Sequence, residues 1–214
     1  MLVSTPSYII DLAVLLFYEY IIHKIEIMSH NKGLYIVLIS IHGLIRGTRP
    51  ELGRDADTGG QVKYVIELAQ ALGRHPAVGR VELLTRLVTD AVVSEDYARP
   101  YEVLAPRVNL LRFPCGKEQL WDALDCFADT VSSYFRQQTH RPDVIHSHYA
   151  DAGYVGSLLS RQLSIPLVHT GHSLGRSKRH RLLASGLKRD DIERRYNLAQ
   201  RIEAEETCLS TATC

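Results

Sequence analysis

Between residues 34 and 170, short apolar runs alternate with stretches whose apolar residues recur at helical spacing, and this alternation narrows the possible folds more than any other feature. The strand-like runs lie at 35–41 (YIVLISI), 80–85 (RVELLT), 108–113 (VNLLRF), 143–147 (DVIHS) and 166–170 (PLVHT). The first is apolar at nearly every position, as expected of a strand covered on both faces. Helical patterns lie at 61–74, 118–136 and 151–163; in the first, Val62, Val65, Ile66, Leu68, Ala69 and Leu72 mark one face. Such a succession predicts an α/β fold with a doubly wound parallel sheet and helices on both faces. In open sheets of this kind ligands bind beyond the carboxyl ends of the strands, so chemistry is sought in the loops that follow them. The tail from 189 to 214 reads as one charged helix without a stop signal, so that the chain ends inside an element and the domain is truncated there.

A chain of 214 residues with 45% hydrophobic and 23% charged content is large enough for one good core. Its net charge of +1 argues against duplex nucleic acid as a partner, because neutralising phosphates requires a strongly basic surface. The four cysteines include no C-x-x-C pair and predict a reduced, intracellular, cytoplasmic protein. The apolar stretch at 9–27 contains Asp11, Glu19, His23 and Lys24, too many charges for a clean membrane span, and lacks the marks of a signal peptide. Residues 1–27 are read as a dispensable extension and 28–214 as the folded domain.

The densest polar stretch is 51–61, ELGRDADTGGQ, directly ahead of the first helical pattern. Gly59, Gly60 and Gln61 fall at that helix start, where free N–H groups attract anions and glycines let a ligand approach the backbone. The same residues also fit a plain turn and N-cap. The length of the 42–58 loop favours the functional reading, since connections in such units usually run to about 2–6 residues. Asp90, Glu95 and Asp96 after the second strand read as solvated surface. Lys117, after the third, stands where an ammonium can reach a phosphate, and Cys115 reads as filler.

Two further loops carry candidates. His146 and His148 point the same way on the fourth strand and can share a metal, but nothing nearby completes a site, so no bound metal or cofactor is expected. Tyr149 and Asp151 stand at that strand's end, where Asp151 also suits a helix cap. After the fifth strand come His172, Ser173 and Lys178: a polar ring, a hydroxyl and a cation on one concave loop, the parts a sugar-phosphate site needs. Gly171-His172-Ser173-Leu174-Gly175 satisfies the bare pattern of a serine-hydrolase elbow. The hydrolase reading is set aside because 174–177 is not expected to open a helix and no Asp…His order follows.

Taken together, HGLIRG at 42–47, ELGRDADTGGQVKYVIELAQAL from 51, DVIHSHYADAGY from 143 and HTGHSLGRSKRHRLL from 169 resemble the N-terminal, acceptor-side domain of the sucrose-phosphate synthases, from residue 34 to the end of the chain. These are retaining glycosyltransferases of the GT-B type, built from two Rossmann-like domains. Sucrose synthases share the D-T-G-G-Q segment but lack the serine–lysine arrangement, so Ser173 and Lys178 favour a phosphorylated acceptor. The resemblance implies glucosyl transfer from UDP-glucose to fructose 6-phosphate with retention. It places Gly59, Gly60 and Gln61 between acceptor and donor diphosphate, Ser173 and Lys178 on the acceptor phosphate, and Tyr149 and Asp151 on the fructose. His172 falls at the reaction centre. Lys117 matches a lysine before Glu-x-Leu-Trp, with a shorter loop ahead of it, and Arg201 is the better match for a late arginine, with Arg194 and Arg195 as spares. The nucleotide sugar is held chiefly by a C-terminal domain, so this chain alone is expected to be inactive. A non-catalytic sugar-phosphate-binding module and a GT-B enzyme with another acceptor, including a lipid, remain open.

Overall fold

The computed structural model describes residues 33–51, 53, 59–115 and 120–213. The proposed extension at 1–27 and Lys117 lie outside the described residues. Six strands, β1 (Leu34–Ile39), β2 (Val78–Arg86), β3 (Tyr101–Ala105), β4 (Val108–Phe113), β5 (Val144–His148) and β6 (Leu167–Thr170), form one sheet in the order β3-β4-β2-β1-β5-β6. All neighbours are parallel except β3, which runs antiparallel to β4 at the edge. The α-helices among the described residues are α1 (Gly60–Arg74), α2 (Leu124–Gln137), α3 (Ala150–Leu163), α4 (Gly175–Ala184), α5 (Arg189–Tyr196) and α6 (Leu198–Thr211).

β1 shows why its sequence is apolar throughout. Leu34, Ile36 and Leu38 pack with Val62, Val65 and Leu68 of α1 on one face. Tyr35, Val37 and Ile39 point to the other face, against Phe127 and Val131 of α2 and Val155 and Leu159 of α3. A carboxylate interrupts the second layer: Glu82, 1% exposed, accepts hydrogen bonds from the Tyr35 and Tyr134 hydroxyls and pairs with Arg80. Burial and that carboxylate hold both phenols protonated, with Tyr134 raised to about 12.

Three departures from the sequence reading have physical causes. β3 was not expected: Tyr101 and Val103 of this edge strand are exposed, so it lacks the continuous apolar run of the central strands. α4 was not expected either, because it buries only Gly175 and carries no apolar stripe. The charged tail is two helices, broken where Asn197 takes a left-handed conformation (φ 43°, ψ 48°), which asparagine tolerates better than most residues. α6 stops at Thr211, and Thr213 N–H donates to the Leu167 carbonyl on β6 (2.8 Å).

The strand order fixes where a ligand can sit. From β1 the chain winds outward through β2 to β4, then returns to β5 on the other side of β1. The loops after β1 and β5 therefore diverge and leave a crevice at the sheet's topological switch point.

Candidate functional site

The loop after β1 is anchored at the far edge of the sheet. Arg112, 3% exposed, donates to the Ile45 carbonyl (2.9 Å), the Arg99 carbonyl (2.9 Å) and Glu102 Oε2 (2.7 Å). Glu102 Oε1 in turn accepts from Gly47 N–H (3.0 Å), and a β-carbon at Gly47 would lie 2.3 Å from the end of the Leu104 side chain, which would have to shift to admit it. Arg46 pairs with Asp96 (3.3 Å) and Glu51 (3.5 Å). Asp96 thus anchors the HGLIRG loop, which corrects its reading as plain solvated surface.

Gly59 and Gly60 open α1 with no side-chain cap among the described residues and no acidic residue in the first turn, so the helix presents its positive end there. A β-carbon at either glycine would meet nothing within 4 Å. Among the described residues neither packing nor a positive φ demands glycine there. Gln61 lies beside them and donates to Ser40 Oγ (3.1 Å).

At the end of β5, Tyr149 has φ 79° and ψ 165°, a conformation that costs a non-glycine residue about 1–3 kcal/mol. Its N–H donates to the Thr170 carbonyl (3.0 Å), and its ring lies between His42, stacked at 4.2 Å, and the Arg201 guanidinium at 4.3 Å. Asp151 is 1% exposed; Oδ1 accepts from Ala152 N–H (2.6 Å) and Oδ2 lies 3.4 Å from His42 Nδ1. The carboxylate thereby braces His42 at the end of β5, beside the helix start that it was also expected to cap.

After β6 the chain turns through His172, a second strained residue (φ 50°), and enters α4 at Gly175. A helix does open here, contrary to the argument used against a hydrolase. What excludes an elbow is that the strained residue at the turn is His172, whereas Ser173 has no left-handed φ. Arg201 donates to the Ser173 carbonyl and pairs with Glu205 (3.0 Å), and Glu205 accepts from Gly175 N–H (2.8 Å) at the positive end of α4. Both members of the pair are about 5% exposed or less. Arg201 therefore clamps the turn, with its guanidinium against the Tyr149 ring.

These pieces enclose a cavity of about 480 Å³ lined by His42, Gly59, Gly60, Gln61, Tyr149, Lys178, Arg195 and Tyr196. Two cations and a helix N-terminus face the space, and among the described residues no carboxylate lines it, so it suits a phosphorylated, hydroxyl-rich ligand. Lys178 Nζ lies 4.4 Å from the centre of the Tyr196 ring, and the Arg195 guanidinium lies 5.4 Å from it. Of the nominated residues, Gly59, Gly60, Gln61, Tyr149 and Lys178 meet here; Ser173 and His172 stand on the adjoining turn, outside the lining. The arginine that reaches the cavity is Arg195, held in reserve by the sequence reading, while His42 and Tyr196 were missed. Only the length of the loop carrying His42 signalled its role.

Behind the cavity lies a histidine stack. His146 and His148 rings are 4.1 Å apart, His146 Nε2 bonds Thr170 Oγ1 (2.8 Å), and His148 Nδ1 meets His172 Nε2 (3.1 Å). Burial is the main cause that lowers all three, His146 to about 3 and His172 to about 4, so the rings are neutral at pH 7. Among the described residues no group of three or more His, Cys, Asp or Glu side chains is arranged to hold a metal.

A sequence model of glycosyltransferase family 4 matches residues 58–204. The chain belongs to glycosyltransferase family 4. Among curated relatives of this family 4 chain, a probable sucrose-phosphate synthase 4 from Oryza sativa subsp. japonica is 46% identical over 216 residues, covering 85% of the chain and 20% of the rice protein. The sucrose-phosphate synthase of Spinacia oleracea is 42% identical over 231 residues, covering 89% and 22%. The chain thus spans about a fifth of the length of the curated relatives it matches. A solved sucrose-phosphate synthase from Thermosynechococcus elongatus superposes with a TM-score of 0.62 at 25% identity, over 85% of this chain and 41% of that one. The architecture is that of the Rossmann-like N-terminal part of a GT-B glycosyltransferase.

Proposed function

We propose that this family 4 chain is the acceptor-binding half of a sucrose-phosphate synthase, holding fructose 6-phosphate while glucose is transferred to it from UDP-glucose with retention. The observation that carries the reading is the convergence of Lys178 and Arg195 on the start of α1 at Gly59 and Gly60, within one cavity at the switch point. The two cations take the acceptor phosphate, and Tyr149 and Gln61 lie beside the sugar. His172, on the neighbouring turn, lies toward the reacting centre. Transfer passes through an oxocarbenium-like state in which the bond from the anomeric carbon to the diphosphate breaks as the acceptor hydroxyl closes in. The helix N-terminus stabilises charge on the leaving group.

Donor binding belongs to a second domain, so the chain alone binds acceptor without turnover. Calorimetry of the full chain should show fructose 6-phosphate binding more tightly than fructose or inorganic phosphate. Sucrose 6-phosphate should form from UDP-glucose only when a donor-binding domain is supplied. Equal affinity for fructose and its phosphate would defeat the assignment.

A further inference from the structure

We propose that His148 is a positioning residue that fixes His172 in one tautomer, with its proton on Nδ1, so that His172 presents an N–H donor rather than a basic nitrogen to whatever occupies the adjoining crevice. The argument is one of hydrogen counting. His148 Nδ1 and His172 Nε2 lie 3.1 Å apart, and only one of them can carry the shared proton when both rings are neutral. His148 is wholly buried, and its other nitrogen, Nε2, has no hydrogen-bond partner among the described residues.

Suppose His172 Nε2–H were the donor. The proton of neutral His148 would then sit on Nε2, as a buried N–H with no acceptor among the described residues, which carries the full desolvation penalty of an unmet donor. The reverse leaves only a lone pair unmet at that position. His148 Nδ1–H therefore donates, His172 Nε2 accepts, and the proton of neutral His172 is on Nδ1.

The neighbours keep this arrangement in place. His146 stacks on His148 at 4.1 Å, and Tyr64 from α1 sets its ring edge-on to His148 at 6.0 Å and to His172 at 5.3 Å. His172 is held by its backbone as well, with φ 50° at the turn. The groups that act on the pair electrostatically are His146 and His169, and like-charge repulsion from them further disfavours a charged form. The role assigned to the donor, contacting a sugar hydroxyl or the leaving group, rests on the proposed transferase reading; the tautomer does not.

The test is long-range ¹H–¹⁵N correlation on the full chain with ¹⁵N-labelled histidine at pH 7, the His172 signals being identified by their loss in His172→Gln. The expected result is a protonated Nδ1 and an unprotonated Nε2 for His172, and likewise a protonated Nδ1 for His148. In His148→Phe, which fills the space without a donor, His172 should revert to the Nε2–H form favoured by free imidazole. In His148→Asn, whose amide reaches the same point as Nδ1, the native tautomer should be retained. A wild-type spectrum with His172 protonated on Nε2 overturns the proposal whether or not the variants fold, as does an unchanged His172 in a folded His148→Phe. Parallel calorimetry with fructose 6-phosphate separates the two readings: loss of ligand binding with the tautomer intact would condemn the transferase assignment alone.

Discussion

The crevice at the β1/β5 switch and the hollow between α2, α3 and α6 are of similar size, about 480 and 370 Å³, yet they are opposites in charge and construction. The hollow is lined by Trp121, Tyr154, Asp122, Asp125 and Glu203 among others, with the Tyr154 hydroxyl donating to Asp125 (2.9 Å), and among the described residues that line it none is a cation. The described charges there are all of an anion's own sign. The crevice has Lys178, Arg195 and a helix N-terminus, and walls braced by buried groups at the ends of β1, β5 and β6. Volume alone does not distinguish the two; position relative to the strand ends, and the sign of the lining charge, do.

The largest effect expected from that contrast is on stability. Replacing Arg201 by alanine leaves Glu205 buried without its partner and should cost about 3–5 kcal/mol in urea unfolding, whereas Glu203→Ala in the hollow should change it by less than about 0.5 kcal/mol. Similar losses in both would show that the crevice wall is no more braced than the hollow.

Acid should act on the crevice in the same direction. His146 and His148 are lowered in the folded chain from the ordinary value of 6.5, so the unfolded chain takes up their protons first as pH falls. Their contribution is fully present above about pH 6.5 and is lost progressively toward pH 3, at up to about 1.4 kcal/mol per pH unit for each ring. Urea midpoints measured from pH 7 to pH 4 should fall steeply, and should fall less in His146→Leu if that variant folds. Trp121, the single tryptophan, sits in the hollow and reports whether that region unfolds with the crevice.

Ligand binding sharpens the comparison further. Lys178→Ala should weaken fructose 6-phosphate binding about tenfold or more, while Asp122→Ala leaves it unchanged; calorimetry on both variants reads this directly. The smallest expected change is at Gly60. Because a β-carbon there meets open space, Gly60→Ala should leave thermal stability unchanged or raise it by up to about 1 kcal/mol, yet reduce acceptor affinity by intruding on the cavity. A loss of stability with affinity intact would mean that the glycine serves the fold.

Much of the site was legible before the structure. Gly59, Gly60, Gln61, Tyr149 and Lys178 were nominated from the sequence and line one cavity, because loops at strand ends have little choice of neighbours once the sheet is parallel. The bracing contacts of Arg201 and Asp151 were not legible, because an ionised side chain near a site looks the same in sequence whether it faces a ligand or braces the wall. Which of two late arginines reaches the crevice depends on the break at Asn197, a turn that charge patterning does not reveal.

By itself the sequence determined the βαβ succession and the two-faced burial of β1, since apolar periodicity leaves a parallel sheet few ways to cover both faces. It also determined which loops would carry polar chemistry. Only the tertiary structure decided that Arg195 rather than Arg201 joins Lys178, that the HGLIRG loop is anchored through Arg112 and Glu102, and that His148 stands behind His172. Those outcomes depend on distances between residues far apart in the chain, set by how helices and strand ends pack, and local sequence does not encode them.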